Sequence, residues 1–197
     1  MSAPILTYDG IYLNYGDNLV IRNLSGTIKS GRLYLLSGDN GSGKTSLLRI
    51  LSGKIKPKRG NISGEAFNSG CIKALIGIGG FYSYLSVLEN LALFAKDAEK
   101  RILESYRLEQ YKNVLVKELS QGCLQRLSLG ILLSSSANLI FIDEPTNFLD
   151  VNGKSILLEK LKSALQEGKA VMLSSHEPEL FSDLDPVPLI LKNGDYV

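Results

Sequence analysis

"GDNGSGKT", residues 38–45, is the stretch on which the reading of the whole chain turns. It satisfies the pattern G-x-x-x-x-G-K-[ST] in full. Before it, "LYLL", Leu33–Leu36, lies between Gly31 and Gly38, which predicts a short buried strand. After it, Leu47, Leu48, Ile50 and Leu51 recur at helical spacing until Gly53, which predicts a helix starting near Gly43. Strand, glycine loop and helix in that order make an anion cradle. Gly38, Gly41 and Gly43 let the backbone wrap closely and turn its N–H groups inward, and the helix adds its positive end. Asp39, Asn40, Ser42 and Ser46 are the other loop and first-turn residues expected to touch phosphates. Lys44 has the reach for β- and γ-phosphates, and the Thr45 hydroxyl suits Mg²⁺.

A second buried strand, "LIFI", runs into Asp143, Glu144 and Pro145. A carboxylate at the carboxyl end of such a strand sits where α/β sheets bind ligands. Asp143 is expected to hold Mg²⁺ through water, and Glu144 to polarise an attacking water. His176, the only histidine, follows the apolar "VMLSS". It is placed to sense a γ-phosphate or to orient that water. Lys44, Glu144 and His176 form the expected catalytic set. Alone, an acidic strand end or a surface histidine carries little weight; the complete loop upstream gives both their meaning.

The rest of the chain alternates strand and helix. "ILTYDGIYLNYG" runs into a hairpin signal at Gly16 and Asp17. "KIKPKRGNISG" reads as solvated loop and turn. From about Leu85 to Leu133 the pattern is helical, opened by a capping-box spacing at Ser86 and Glu89. "AEKRILESYRLEQYKNVLV" and "CLQRLSLGILLSS" supply further apolar faces. "SILLEKLKSALQEG" predicts a helix with Leu157, Leu158, Leu161, Ala164 and Leu165 inward and Gly168 at its end. "AVMLSS" and "VPLILKNG" read as closing strands. An α/β fold follows, over residues 1–197 as a single domain, with a helical subdomain inserted at about 84–133.

Composition limits the partners. Net charge is +2, without the clustered excess of a nucleic-acid binder, so no nucleic acid is expected. Cys71 and Cys123 lie far apart, without metal-ligand spacing, and read as free thiols. The N-terminal "MSAPILTYDG" has no basic start and no long apolar run, so it is not expected to act as a signal peptide. No window reaches the roughly 18 apolar residues of a membrane span, so a membrane role requires a partner.

"GDNGSGKT", "LSQGCLQRL" (residues 119–127), "LIFIDEP", "NFLD" and "SSH" occur in one order. That order resembles the nucleotide-binding subunit of ABC transporters, over essentially the whole chain. The resemblance implies a P-loop NTPase fold of the ABC type: a mostly parallel sheet core, an N-terminal antiparallel β region and the inserted helical subdomain. It implies ATP and Mg²⁺, and a head-to-tail homodimer in which "LSQGC" of one chain closes on ATP held by the other. Ser120 and Gly122 would then touch the partner's nucleotide, Asp150 would face the partner, and Tyr15 would stack on adenine. Two letters depart from the family's LSGGQ, at Gln121 and Cys123. Gln121 matters only if its backbone needs φ > 0; otherwise the element is diverged but working. A second departure is the glutamine that usually follows the strand near "IGIGGFYSYLSVLENL". Ile78 or Gly79 stands there, which puts that residue's coupling role in doubt.

A narrower likeness lies in "LDVNGK", "GDNGSGKTSLLRILSGKIKPKRGNI" and "YLSVLENLALF". These segments are similar to CcmA, the haem-exporter ATPase of cytochrome c maturation. That likeness implies a CcmB-like integral permease with CcmC and CcmD nearby, at the cytoplasmic side of the inner membrane. The ATPase of another small ABC transporter, or a non-transport nucleotide-binding module, remain as alternatives.

Overall fold

The computed structural model describes residues 4–197, so the outermost N-terminal residues of the "MSAPILTYDG" reading lie outside it. Two sheets and a helical segment make up the structure. β1 (Pro4–Tyr15) and β2 (Asn18–Lys29) form an antiparallel hairpin that pairs Tyr15 with Asn18 across Gly16 and Asp17. Gly16 takes φ 57°, which suits the primed two-residue turns of hairpins. β3 (Leu33–Ser37) leads into the glycine loop and α1 (Lys44–Leu51). β4 (Arg59–Ser63) and α2 (Glu65–Asn68) follow, then β5 (Ile72–Leu75). α3 (Val87–Phe94), α4 (Glu99–Ser105) and α5 (Gln121–Leu133) make the helical insertion. β6 (Leu139–Ile142), α6 (Val151–Gln166), β7 (Ala170–Ser174), β8 (Val187–Lys192) and β9 (Asp195–Tyr196) complete the chain.

The larger sheet has the order β5-β6-β7-β3-β8-β9, all parallel except the terminal β8–β9 pair. Its central strands β3, β6 and β7 are buried along almost their whole length, on both faces, as the middle of a parallel sheet requires. Alternate residues divide between two cores. Leu33, Leu35, Ile140, Ile142, Val171 and Leu173 pack on the side of α5 and α6. Tyr34, Leu36, Leu139, Phe141 and Met172 pack on the side of α1 and the antiparallel sheet. This places the carboxyl ends of β3, β6 and β7 side by side, beneath one cleft.

Local signals explain most boundaries. The Ser86 hydroxyl accepts from the Glu89 N–H at 3.2 Å and Glu89 accepts from the Ser86 N–H at 2.7 Å, a complete capping box. The Ser86 hydroxyl also donates to Glu89 Oε2 at 2.7 Å, and this bond first, the one from the Ser86 N–H second, holds the Glu89 carboxyl below its usual value. Gly168, at φ 86°, closes α6.

Three expectations change. "KIKPKRGNISG" is not all loop: Arg59–Ser63 is a third strand, paired antiparallel with β1. Its residues are nearly all exposed, so it carries no apolar period, and its pairing is with a distant segment. The stretch after Glu99 is helical only to Ser105; short 3₁₀ turns at Glu109–Tyr111 and Val116–Glu118 replace the rest. α6 begins four residues before "SILLEK", because Asp150 caps it. No helix among the described residues is long and apolar enough to cross a membrane.

Candidate functional site

The glycine loop has the strained backbone its sequence requires. Gly38 takes φ 142°, and a Cβ there would lie 2.1 Å from the Leu191 carbonyl oxygen. Gly43, the residue before α1, takes φ 106°. No side chain caps α1. By contrast α3, α5 and α6 are capped by Ser86, Ser120 and Asp150. The first N–H groups of α1 therefore keep their hydrogen-bonding capacity for an anion at the helix end.

A cleft of about 330 Å³ opens there, lined by Tyr15, Val20, Asn40, Gly41, Ser42, Gly43, Lys44, Thr45, Ser46, Asp143, Glu144 and His176. Gly38 and Asp39 do not line it. They act through their carbonyls, which accept from Lys44 Nζ at 2.6 and 3.1 Å. Those two bonds hold a buried ammonium under the loop. The Ser42 hydroxyl, also buried, has no hydrogen-bond partner among the described residues. An orphaned hydroxyl beside a lysine and a free helix end fits a ligand rich in acceptor oxygens.

Opposite the loop, Thr45 Oγ1 donates to Asp143 Oδ2 at 2.6 Å. A hydroxyl oxygen and a carboxylate in contact are the hard oxygen donors that Mg²⁺ takes, together with phosphate. Glu144 follows with φ 49°, an uncommon value for a residue with a side chain. Its Oε2 accepts from the His176 N–H at 3.3 Å. Among the described residues its buried Oε1 makes no hydrogen bond, although His176 Nε2 lies 3.2 Å away. The carboxylate thus keeps one oxygen able to accept a proton, next to the only imidazole. Tyr15 is half exposed and lines this cleft.

A second cleft, sharing no residue with the first, is lined by Ser120, Gln121, Gly122, Cys123, Arg126, Phe148, Leu149 and Asp150. Ser120 Oγ accepts from the Cys123 N–H at 3.3 Å, so its own proton is free to point outward. Gln121 is the first residue of α5 and has no positive φ, so the missing glycine imposes no backbone strain. Gly122 is the constrained one. A Cβ there would meet the Phe148 carbonyl oxygen at 2.7 Å. Gly122→Ala is therefore expected to destabilise the fold by about 1–3 kcal/mol, through backbone pressed on backbone. Chemical denaturation checks this; an unchanged midpoint would contradict the close approach. Asp150 Oδ1 accepts from the Gly153 N–H at 2.7 Å, so this side chain works first as the cap of α6.

Against this geometry, a family profile described as "ABC transporter" matches residues 21–147. The chain belongs to the ABC transporter family. It is 32% identical to the Nod factor export ATP-binding protein I of Ralstonia nicotianae, over 98% of this chain and 66% of that protein. It is 33% identical to an uncharacterized ABC transporter ATP-binding protein of Bacillus subtilis, over 99% of this chain and 68% of that one. The chain thus spans about two thirds of the length of these relatives. A solved structure described as the ATP binding subunit of an ABC transporter superposes with a TM-score of 0.87 at 24% identity, covering 96% of this chain and 87% of that one. Neither sequence relative carries a haem-export name, so the ABC family is established and the narrower haem-exporter likeness is not.

Two features of this ABC fold were not foreseen. Gln125, buried in α5, donates from Nε2 to the Pro145 carbonyl at 3.1 Å, tying the "LSQGC" helix to the end of β6. In the sequence it stands within "LSQGCLQRL", which names no partner for it. At the missing glutamine, the Gly79 N–H donates to Ser128 Oγ at 3.2 Å, a backbone contact in place of a side chain. Tyr82 is exposed and stacks on Phe94, with ring centroids 5.9 Å apart.

Proposed function

We propose that the chain is an ATP-hydrolysing subunit that works as a head-to-tail pair and drives a separate membrane permease. One observation carries this reading: the phosphate cleft is complete in loop, cation, carboxylates and imidazole, while the "LSQGC" face opens in a separate cleft of the same chain. A face of that kind meets nucleotide only if a second chain brings it.

Within the phosphate cleft the roles divide by chemistry. The loop N–H groups and Lys44 bind the β- and γ-phosphates and offset the charge that builds as the terminal bond breaks. Thr45 and Asp143 would hold Mg²⁺, which would neutralise phosphate charge when bound. Glu144 accepts a proton from the water that attacks the γ-phosphorus, ADP leaves, and inorganic phosphate remains. His176 holds Glu144 in place and faces the same phosphate. From the second chain, the Ser120 hydroxyl donates to the γ-phosphate and the α5 N-terminus adds its positive end. Asp150 sets the edge of that contact.

The cargo follows the permease. The haem-export reading, with a CcmB-like permease and CcmC and CcmD nearby at the inner membrane, is supported by the "LDVNGK" and "YLSVLENLALF" likenesses. The name of the Ralstonia relative supports a second cargo, Nod factor. Purification with the integral subunit attached separates the two.

The pairing has a direct test. In a Glu144→Gln background, ATP should double the mass measured by light scattering. Ser120→Arg should leave ATP binding to the single chain intact and abolish that doubling, since a bulky cation replaces the hydroxyl. A dimer that forms equally well with Ser120→Arg would overturn the trans contact.

A further inference from the structure

Ser174 is the last residue of β7 and is fully buried. Register places it at the centre of the site. β7 lies between β6 and β3, with Leu173 paired to Ile142 and Ser174 paired to Leu36. It therefore sits between the strand that ends in Asp143 and the strand that launches the phosphate loop. Its hydroxyl donates to Asp143 Oδ1 at 2.6 Å and accepts from the Glu144 N–H at 2.9 Å.

We propose that Ser174 is a positioning residue that sets both carboxylates of the site, a role that rests on the ATPase reading above. Asp143 is gripped at both oxygens, Oδ2 by Thr45 and Oδ1 by Ser174. One donor alone leaves a carboxylate free to swing about its χ2; two fix its plane. Thr45 Oγ1 gives its proton to Asp143 and keeps a lone pair for a cation, so the orientation of Asp143 decides where that lone pair points. The second bond acts on Glu144. Its φ of 49° costs energy in a residue with a Cβ, and the N–H···Oγ bond holds the backbone there. With that backbone fixed, the Glu144 carboxylate meets His176. One hydroxyl thus couples the cation side of the cleft to the base side. Groups that hydrogen-bond and orient a metal ligand are typically worth about ten- to a hundredfold in metal affinity.

The test uses the full chain, ATP and MgCl₂. ATP affinity is measured by calorimetry in excess EDTA and then as Mg²⁺ is titrated, with thermal unfolding followed in parallel. In EDTA, Ser174→Ala should bind ATP as the wild type does, because the loop and Lys44 are untouched. The Mg²⁺ concentration at half effect should rise about tenfold. Ser174→Thr, which restores a hydroxyl, should return it toward the wild-type value. Ser174→Cys keeps the volume but donates weakly, and should shift it as alanine does, which keeps the test sound if Ser174→Ala folds poorly. A wild-type Mg²⁺ midpoint in Ser174→Ala or Ser174→Cys overturns the proposal. So does an equal shift in Ala, Cys and Thr that merely follows loss of thermal stability. A wild-type chain that binds no ATP with or without Mg²⁺ overturns the ATPase reading itself, a separate result from the first two.

Discussion

Replacing Glu144 with glutamine is expected to leave ATP binding intact and to lower turnover by about a hundred- to ten-thousand-fold. The substitution preserves shape. The Glu144 side chain accepts from the His176 N–H through Oε2, and the amide oxygen of glutamine can take that bond over. What disappears is the basic oxygen. Among the described residues Oε1 is buried and makes no hydrogen bond, and His176 Nε2 stands 3.2 Å away, so this oxygen can still accept from a reacting water. An amide in its place cannot take a proton at neutral pH. The effect should therefore fall on kcat, with nucleotide affinity unchanged. Phosphate release under saturating ATP measures it, in the chain alone or assembled with its permease. Near-normal release would remove Glu144 from the chemistry and shift attention to His176.

What could be read in the sequence depended on how local the constraint was. The phosphate loop was legible because its geometry admits few residues. Gly38 has no room for a Cβ against Leu191, and Gly43 needs a left-handed backbone, so the spacing survives as letters. The capping box at Ser86 and the hairpin at Gly16 were legible for the same reason, each closing within a few residues. Asp143 and Glu144 stood out because two charges end a wholly apolar strand.

Long-range contacts were the part that stayed hidden. β4 is polar and exposed, and exists because β1 offers it an edge; Gly60 comes against the Gly10 backbone, which no local period announces. Ser174 was passed over although it lies two residues before His176. Serine is common at strand ends, and its partner Asp143 is 31 residues away. At residues 119–127 the letters alone could not say whether Gln121 was tolerable. The answer lay in its φ, and the true steric demand falls one residue later, at Gly122, from the distant Phe148 carbonyl.

Lys44→Ala is expected to weaken ATP binding by about a hundredfold, the scale for losing a charge-assisted hydrogen bond to a buried anion. Lys44 is buried beneath the loop, its ammonium held by the Gly38 and Asp39 carbonyls. Among the described residues that line the phosphate cleft it is the only lysine or arginine, and it shares that cleft with the Asp143 and Glu144 carboxyl groups. Without it, a triphosphate enters a site whose remaining fixed charges repel it, with only backbone dipoles and Mg²⁺ to compensate. The fold should tolerate the change, because α1 packs through Leu47, Leu48, Ile50 and Leu51. Calorimetric titration of ATP, with Mg²⁺ present, into the wild type and Lys44→Ala tests the central claim that this cleft is a nucleotide site. One ATP bound per wild-type chain, with the heat lost in a folded Lys44→Ala, is the predicted result. Equal binding by the two proteins, or no binding by the wild type, would contradict it.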